Sequence, residues 1–105
     1  MHLREWSVYD LLGWLQDANW PVFESVLSVV ASNQNIAMPY VKDILQGNEI
    51  MWRYWIIDQL IPLLSDENKL LLKNDLLRIS AFEEEDEDTL AIVEVSKTCL
   101  DMYYT

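Results

Sequence analysis

The stretch Glu49 to Leu64, written EIMWRYWIIDQLIPLL, carries apolar side chains on almost every side of a helical wheel. A helix lying on a surface keeps a broad polar face. Here Arg53, Asp58 and Gln59 point in three different directions, so other elements must surround the helix. It is read as the central helix of a small all-α domain, with Trp52, Trp55, Ile57 and Leu60 in the core. Pro62 cannot donate a hydrogen bond to the carbonyl of Asp58 and falls in the last turn, so an ending or a bend is expected there.

The rest of the chain supports helices around this one. With 105 residues, 51% of them hydrophobic and only 2 Gly and 3 Pro, the chain suits one compact helix-rich domain spanning residues 1–105 rather than a turn-rich β-sandwich. Val8, Leu11, Leu12 and Leu15 follow the i, i+3, i+4, i+7 spacing of a first helix running from a Ser7 cap to about Asp17. Proline disfavours α conformation in the residue before it and suits a first helical position, so Trp20 closes that element and Pro21 opens the next. Phe23, Val26, Leu27 and Val30 form the face of the second helix. Polar Ser32 to Asn35 is read as a loop. A third helix from Ile36 or Pro39 presents Tyr40, Val41, Ile44 and Leu45, and Gly47 is expected to be its left-handed C-terminal residue. Asn48 is expected to cap the central helix.

Ser65-Asp66-Glu67 marks the start of a fifth helix carrying Leu72, Leu76 and Ile79. A sixth begins near Thr89, with Ile92, Val95, Cys99 and Met102 facing inward. Six helices of these lengths pair into three antiparallel hairpins, at about residues 7–32, 36–64 and 65–104. Units of this size match a HEAT- or armadillo-like right-handed stack, with an irregular six-helix bundle as the competing arrangement.

Charge and chemistry narrow the function. The net charge of −11 repels nucleic-acid backbones and anionic membranes. Residues 65–105 hold 11 acids and 4 bases, so the excess lies towards the C-terminal end, and a basic protein is the expected partner. His2 stands near the start of the chain, and Cys99, the single cysteine, lies on an apolar helical stripe with no histidine to activate it. No glycine-rich phosphate loop or metal-ligand spacing appears, so neither an enzyme nor a cofactor is expected. No apolar run is long enough to span a bilayer and no signal peptide is evident, so a soluble cytoplasmic protein is expected, with a monomer favoured over an oligomer.

The six-acid run Glu83, Glu84, Glu85, Asp86, Glu87 and Asp88 lacks the glycine and ligand spacing of an EF-hand loop. It is either a solvated segment favouring the start of the sixth helix or a docking surface for a basic protein. If the run only solubilises, the binding face is sought around Asp17, Asn19 and Glu49. Trp20 is assigned to the core with Trp52 and Trp55, the alternatives being a stacking platform for a ligand or one of the three reaching the surface. A buried indole N–H there needs a partner, for which Asp17 and Asp58 are the candidates. Arg53 is expected to pair with Glu49 or Asp58, the alternative being an anion-binding arginine in a groove.

Two motifs are more specific than helical periodicity. Asp17-Ala18-Asn19-Trp20-Pro21-Val22, followed by Gly47 to Trp55 with its Trp52-Arg53-Tyr54-Trp55 run, resembles the small bacterial domain of unknown function DUF5071 over about Leu11 to Ile79. The resemblance implies an all-α, HEAT-type fold and no catalytic residues. Small acidic bacterial proteins of this kind are suspected of neutralising toxins. Together with the net charge and the absence of a catalytic constellation, this leads to the expectation of an immunity protein or antitoxin that covers the active site of a basic toxin domain such as a nuclease. A helical adaptor unconnected with toxins is the other expectation.

Overall fold

Seven α-helices and no strand make up the described residues of this computed structural model, which are residues 8–17, 19–82 and 86–104. Glu83, Glu84 and Glu85, together with His2 and the Ser7 cap, lie outside them. Helix α1 (Val8–Gly13) tightens into a 3₁₀ turn at Trp14–Gln16, and α2 spans Phe23–Ser32. Next come α3 (Gln34–Gln46) and the central α4 (Ile50–Trp55), which continues as a π-helical turn at Ile56–Leu60 and a 3₁₀ turn at Ile61–Leu63. The chain ends with α5 (Asp66–Leu71), α6 (Lys73–Ser80) and α7 (Glu87–Tyr103).

The central element is enclosed as its wheel requires. Ile56, Ile57, Leu60 and Ile61 are fully buried, with Leu11, Leu12, Leu15, Val26, Val30, Val41 and Leu45 in the same cluster. Enclosure is incomplete, because Met51 and Leu63 stand at the surface. Pro62 acts further upstream than one turn. The Ile61 N–H bonds to the Ile56 carbonyl five residues back, and the Leu64 N–H to the Ile61 carbonyl three back. The helix thus widens before the missing donor and narrows after it.

Several boundaries move from their expected places. The polar segment at Ser32–Asn35 is not a loop. Only Asn33 breaks the helix, and its carbonyl accepts the N–H groups of Ile36 and Ala37, so α3 starts at Gln34 and runs through Pro39. The polar side chains make tertiary bonds instead. Buried Asn68 donates through Nδ2 to Gln34 Oε1 at 2.7 Å and to Asn35 Oδ1 at 2.9 Å. The second helix starts at Phe23 rather than Pro21, and Glu49 rather than Asn48 precedes the first residue of α4.

Gly47 is not left-handed, with φ −82° and ψ −163°. Its requirement is closeness, because a Cβ there would lie 3.3 Å from the Ile44 carbonyl oxygen. Ser65 does cap α5, its hydroxyl accepting the Asn68 N–H, but the expected fifth helix is divided by a turn at buried Leu72. In α7 the inward face holds Ile92, Val93, Ser96 and Cys99, whereas Met102 is exposed.

Polar bonds show how the helices run. Asn68 lies on Gln34 and Asn35, Lys42 Nζ on Asp75 at 2.9 Å, and Arg78 Nη2 on the Leu45 carbonyl at 3.0 Å. Contacts that advance together along both segments mean that α3 and the α5–α6 pair run parallel. Helix α7 returns along α6 and against α4, and the Tyr104 hydroxyl donates to the Lys69 carbonyl near the start of α5.

Candidate functional site

The turn after α1 is built by Asp17. Its extended backbone stops the 3₁₀ turn, its Oδ1 accepts the Asn19 N–H at 2.9 Å, and its carbonyl accepts the Trp20 N–H at 3.2 Å. The chain folds back so that the Trp20 ring meets the Trp14 ring edge to face, with centroids 5.4 Å apart. Both indoles are 37% exposed. The assignment of Trp20 to the core is therefore corrected: the Asp17 turn places it outside, against another surface tryptophan.

The inner positions belong to the other two tryptophans. Trp52 donates its indole N–H to the Leu12 carbonyl at 2.9 Å, which ties α4 to α1. Trp55 packs edge to face on Phe23 and Tyr54, and its buried indole nitrogen has no hydrogen-bond partner. Neither indole uses Asp17 or Asp58. Asp17 is occupied by Asn19, and Asp58 accepts from the side chain of Gln59.

Three side-chain contacts relate the ends of α1, α3, α4 and α6. Trp52 on Leu12 brings the end of α1 to the start of α4. The Arg53 guanidinium lies 5.8 Å from the centre of the Phe82 ring, and Arg78 bonds to Leu45, bringing the end of α6 to the α3–α4 turn. Asp17 and Asn19 lie in the turn that carries Trp20, Glu49 directly precedes α4, and Asp86, Glu87 and Asp88 open α7. Asn19, Glu49, Glu87 and Asp88 are exposed, and Asp17 is half-buried.

Half of the acidic run begins a helix. Asp86 caps α7, its Oδ1 accepting the Thr89 N–H at 2.8 Å, and that backbone hydrogen bond holds its carboxyl below the usual range. Glu87 and Asp88 occupy the first turn, where the helix dipole favours negative charge. The sixth expected helix thus starts two residues earlier than its apolar pattern indicated. The pairing of Trp20 with Trp14 was not foreseen for a related reason, since periodicity reports apolarity and not which apolar residues a turn pushes outward.

An open cleft of about 850 Å³ lies between the α2–α3 corner and the start of α5. Asn33, Gln34, Asn35, Ser65, Asp66 and exposed Ile36 line it. Elsewhere the chemistry is quiet. Burial pushes the Cys99 thiol up to about 11, which keeps it protonated and a poor nucleophile. Among the described residues no group of three or more His, Cys, Asp or Glu side chains is placed to hold a metal ion, and no helix is long and apolar enough to cross a membrane.

The family model described as Domain of unknown function (DUF5071) matches residues 4–100, extending the resemblance carried by the two tryptophan motifs to nearly the whole chain. No curated protein matches the chain.

Proposed function

The chain belongs to the DUF5071 family of domains of unknown function, and from that premise we propose that it is a bacterial immunity protein, or antitoxin, acting in the cytoplasm. It binds a basic toxin domain, of nuclease type, and covers the active site, with its acids occupying positions that nucleic-acid phosphates would take. The observation that carries this reading is the pair of exposed tryptophans, Trp14 and Trp20, set edge to face beside the Asp17 turn on a chain of net charge −11. Interfaces draw much of their affinity from a few tryptophan, tyrosine and arginine anchors, while surrounding charges speed and orient association. Glu83, Glu84 and Glu85 belong to the same acidic run and are assigned to the same docking role.

A rigid scaffold suits such a task. We read the helices as a right-handed HEAT-like stack of three hairpins, α1 with α2, α3 with α4, and α5–α6 with α7. Contacts of α1 with α3, of α3 with α6, of α4 with α7, and of α2 with the π-helical turn that continues α4 support that reading. In such a stack, turns within hairpins fall on one edge and turns between hairpins on the other. The cleft beside Ile36 lies on the second edge and favours the other reading, a helical adaptor holding a peptide there.

The experiment starts with the tagged chain as bait in its source cell. The expected capture is a basic protein whose toxic or nuclease activity disappears when one equivalent of the chain is added. Trp20→Ala should weaken that complex by at least about tenfold, the cost of losing an anchoring residue. Neutralising the acidic run to Gln and Asn should slow association at low salt and leave dissociation almost unchanged. A captured partner that keeps full activity under saturating chain would overturn the immunity reading and leave the adaptor.

A further inference from the structure

The α2–α3 corner and the start of α5 are fastened to each other by amide groups. Gln34 donates through Nε2 to the Ala31 carbonyl at 2.9 Å, and its Oε1 accepts the Ser65 N–H and Asn68 Nδ2, each at 2.7 Å. Asn68, only 6% exposed, also donates through Nδ2 to Asn35 Oδ1 at 2.9 Å. Asn33 is held as well, its Nδ2 donating to the Val29 carbonyl at 2.8 Å. Each bond fixes which way round an amide sits, because a side-chain amide has one donor end and one acceptor end.

Two of these amides are used at one end only. Among the described residues Asn35 bonds through Oδ1 and Asn33 through Nδ2, which leaves Asn35 Nδ2 as a donor and Asn33 Oδ1 as an acceptor. Both residues line the open cleft of about 850 Å³. Its two walls differ in character. Ile36, 61% exposed, stands on the α3 side, and Asp66 and Glu67, both exposed, stand on the α5 side. None of the described residues lining the cleft is basic or aromatic.

We propose that this cleft binds an extended peptide segment of a partner protein in which an apolar residue is followed by a basic one. The N–H and carbonyl of one residue leave an extended chain on the same edge, and a donor beside an acceptor is the pair they require. Successive side chains of such a segment point to opposite faces, so the apolar one meets Ile36 while the basic one meets Asp66 and Glu67. Main-chain bonds then give affinity and the two walls give specificity. Amides already fixed by Asn68 and Val29 lose little freedom when the peptide arrives. The inference rests on the adaptor reading of this cleft and is independent of the Trp14–Trp20 pair and of any toxin.

The test uses the whole chain and hexapeptides capped at both ends, titrated while the NMR signals of the Asn35 side-chain amide and the Ile36 methyl groups are followed. The Trp20 indole N–H serves as control for attraction to acids elsewhere. A peptide of alternating leucine and arginine should move the first two signals and leave the third in place. Asp66→Asn combined with Glu67→Gln should weaken this peptide by about three- to tenfold. Asn35→Asp keeps the oxygen that Asn68 uses and turns the open donor into an acceptor. It should weaken the peptide by about threefold or more, although the added charge attracts arginine.

Methylating the backbone nitrogens of the peptide removes the N–H that Asn33 accepts, and should abolish the shifts at the cleft. If the methylated peptide binds as tightly as the original, charge alone is acting and the proposal fails. That arm also decides the matter if Asn35→Asp does not fold. Glutamine in place of arginine separates the ligand from the cleft. Equal binding of the glutamine peptide rejects the basic ligand and leaves the adaptor reading standing, whereas fixed Asn35 and Ile36 signals with every peptide reject both.

Discussion

Leu60 and Leu63 sit three residues apart at the end of the central element, and truncating each to alanine separates a core role from a local one. Leu60 has 0% of its surface exposed, and Leu63 has 49%. Truncation at Leu60 removes a side chain enclosed by other helices, and buried Leu→Ala changes of this type cost about 2.7–5 kcal/mol from lost transfer energy plus the cavity left behind. At Leu63 much of the side chain is already in water and any gap opens to solvent, so the cost is about 1 kcal/mol or less. Both substitutions introduce the same residue type into neighbouring turns, so differences in local propensity are small. The comparison therefore isolates enclosure.

Urea unfolding followed by circular dichroism supplies the measurement, with Ser28→Ala, at an exposed position of α2, as the neutral reference. A domain of this size unfolds with a total free energy of about 5–15 kcal/mol, so Leu60→Ala should remove a large fraction of it. Its melting temperature should fall by roughly 11–40 °C, at about 4–8 °C for each kcal/mol. Ile57→Ala, at a position equally enclosed, should behave like Leu60→Ala. Equal unfolding midpoints for Leu60→Ala and Leu63→Ala would refute the reasoning, because the central element would then not be surrounded by its neighbours.

Two further outcomes follow from buried polar chemistry. Asn68→Ala removes the donor shared by Gln34 and Asn35, and should cost about 1–3 kcal/mol in the same assay while leaving the helix content of the folded protein unchanged. Cys99 sets an alkaline limit, since its thiol pKa is raised from 9.0 to about 11 by burial. Between those values the unfolded chain has lost the proton that the folded chain keeps. Stability is thus full below pH 9 and falls as pH rises towards 11, by a total of about 2–3 kcal/mol. Cys99→Ala should flatten this part of the pH profile, and a profile identical to that of the wild type would exclude the thiol as its cause.

How far the sequence could be read depends on which interaction sets each feature. The enclosed character of residues 49–64 was legible because a helix without a polar face has few ways to satisfy its surface. The same holds for the faces Leu11-Leu12-Leu15, Phe23-Val26-Leu27-Val30 and Leu72-Leu76-Ile79, all of which are buried. Ser65 was legible as a cap because its partner, the Asn68 N–H, lies only three residues away. Asp86 capping α7 through Thr89 follows the same local rule, but the run of like charges around it disguised the start of the helix.

The sequence by itself determined the helical class, the main apolar faces and an acidic surface, because each follows from periodicity, capping or summed charge within short windows. The tertiary structure decided what depends on residues far apart in the chain. Gln34 and Asn35 are helical partners of Asn68 and not a loop, Trp20 faces outward over Trp14, and Met102 is turned away from the core. Arg53 shows the division most clearly. Local spacing offered it Glu49 and Asp58, four residues before and five after, yet the packing of α4 against the end of α6 set it beside Phe82 and Arg78. A helical register supplies candidates for pairing, but the side chains brought in by other helices determine which neighbours a buried charge meets.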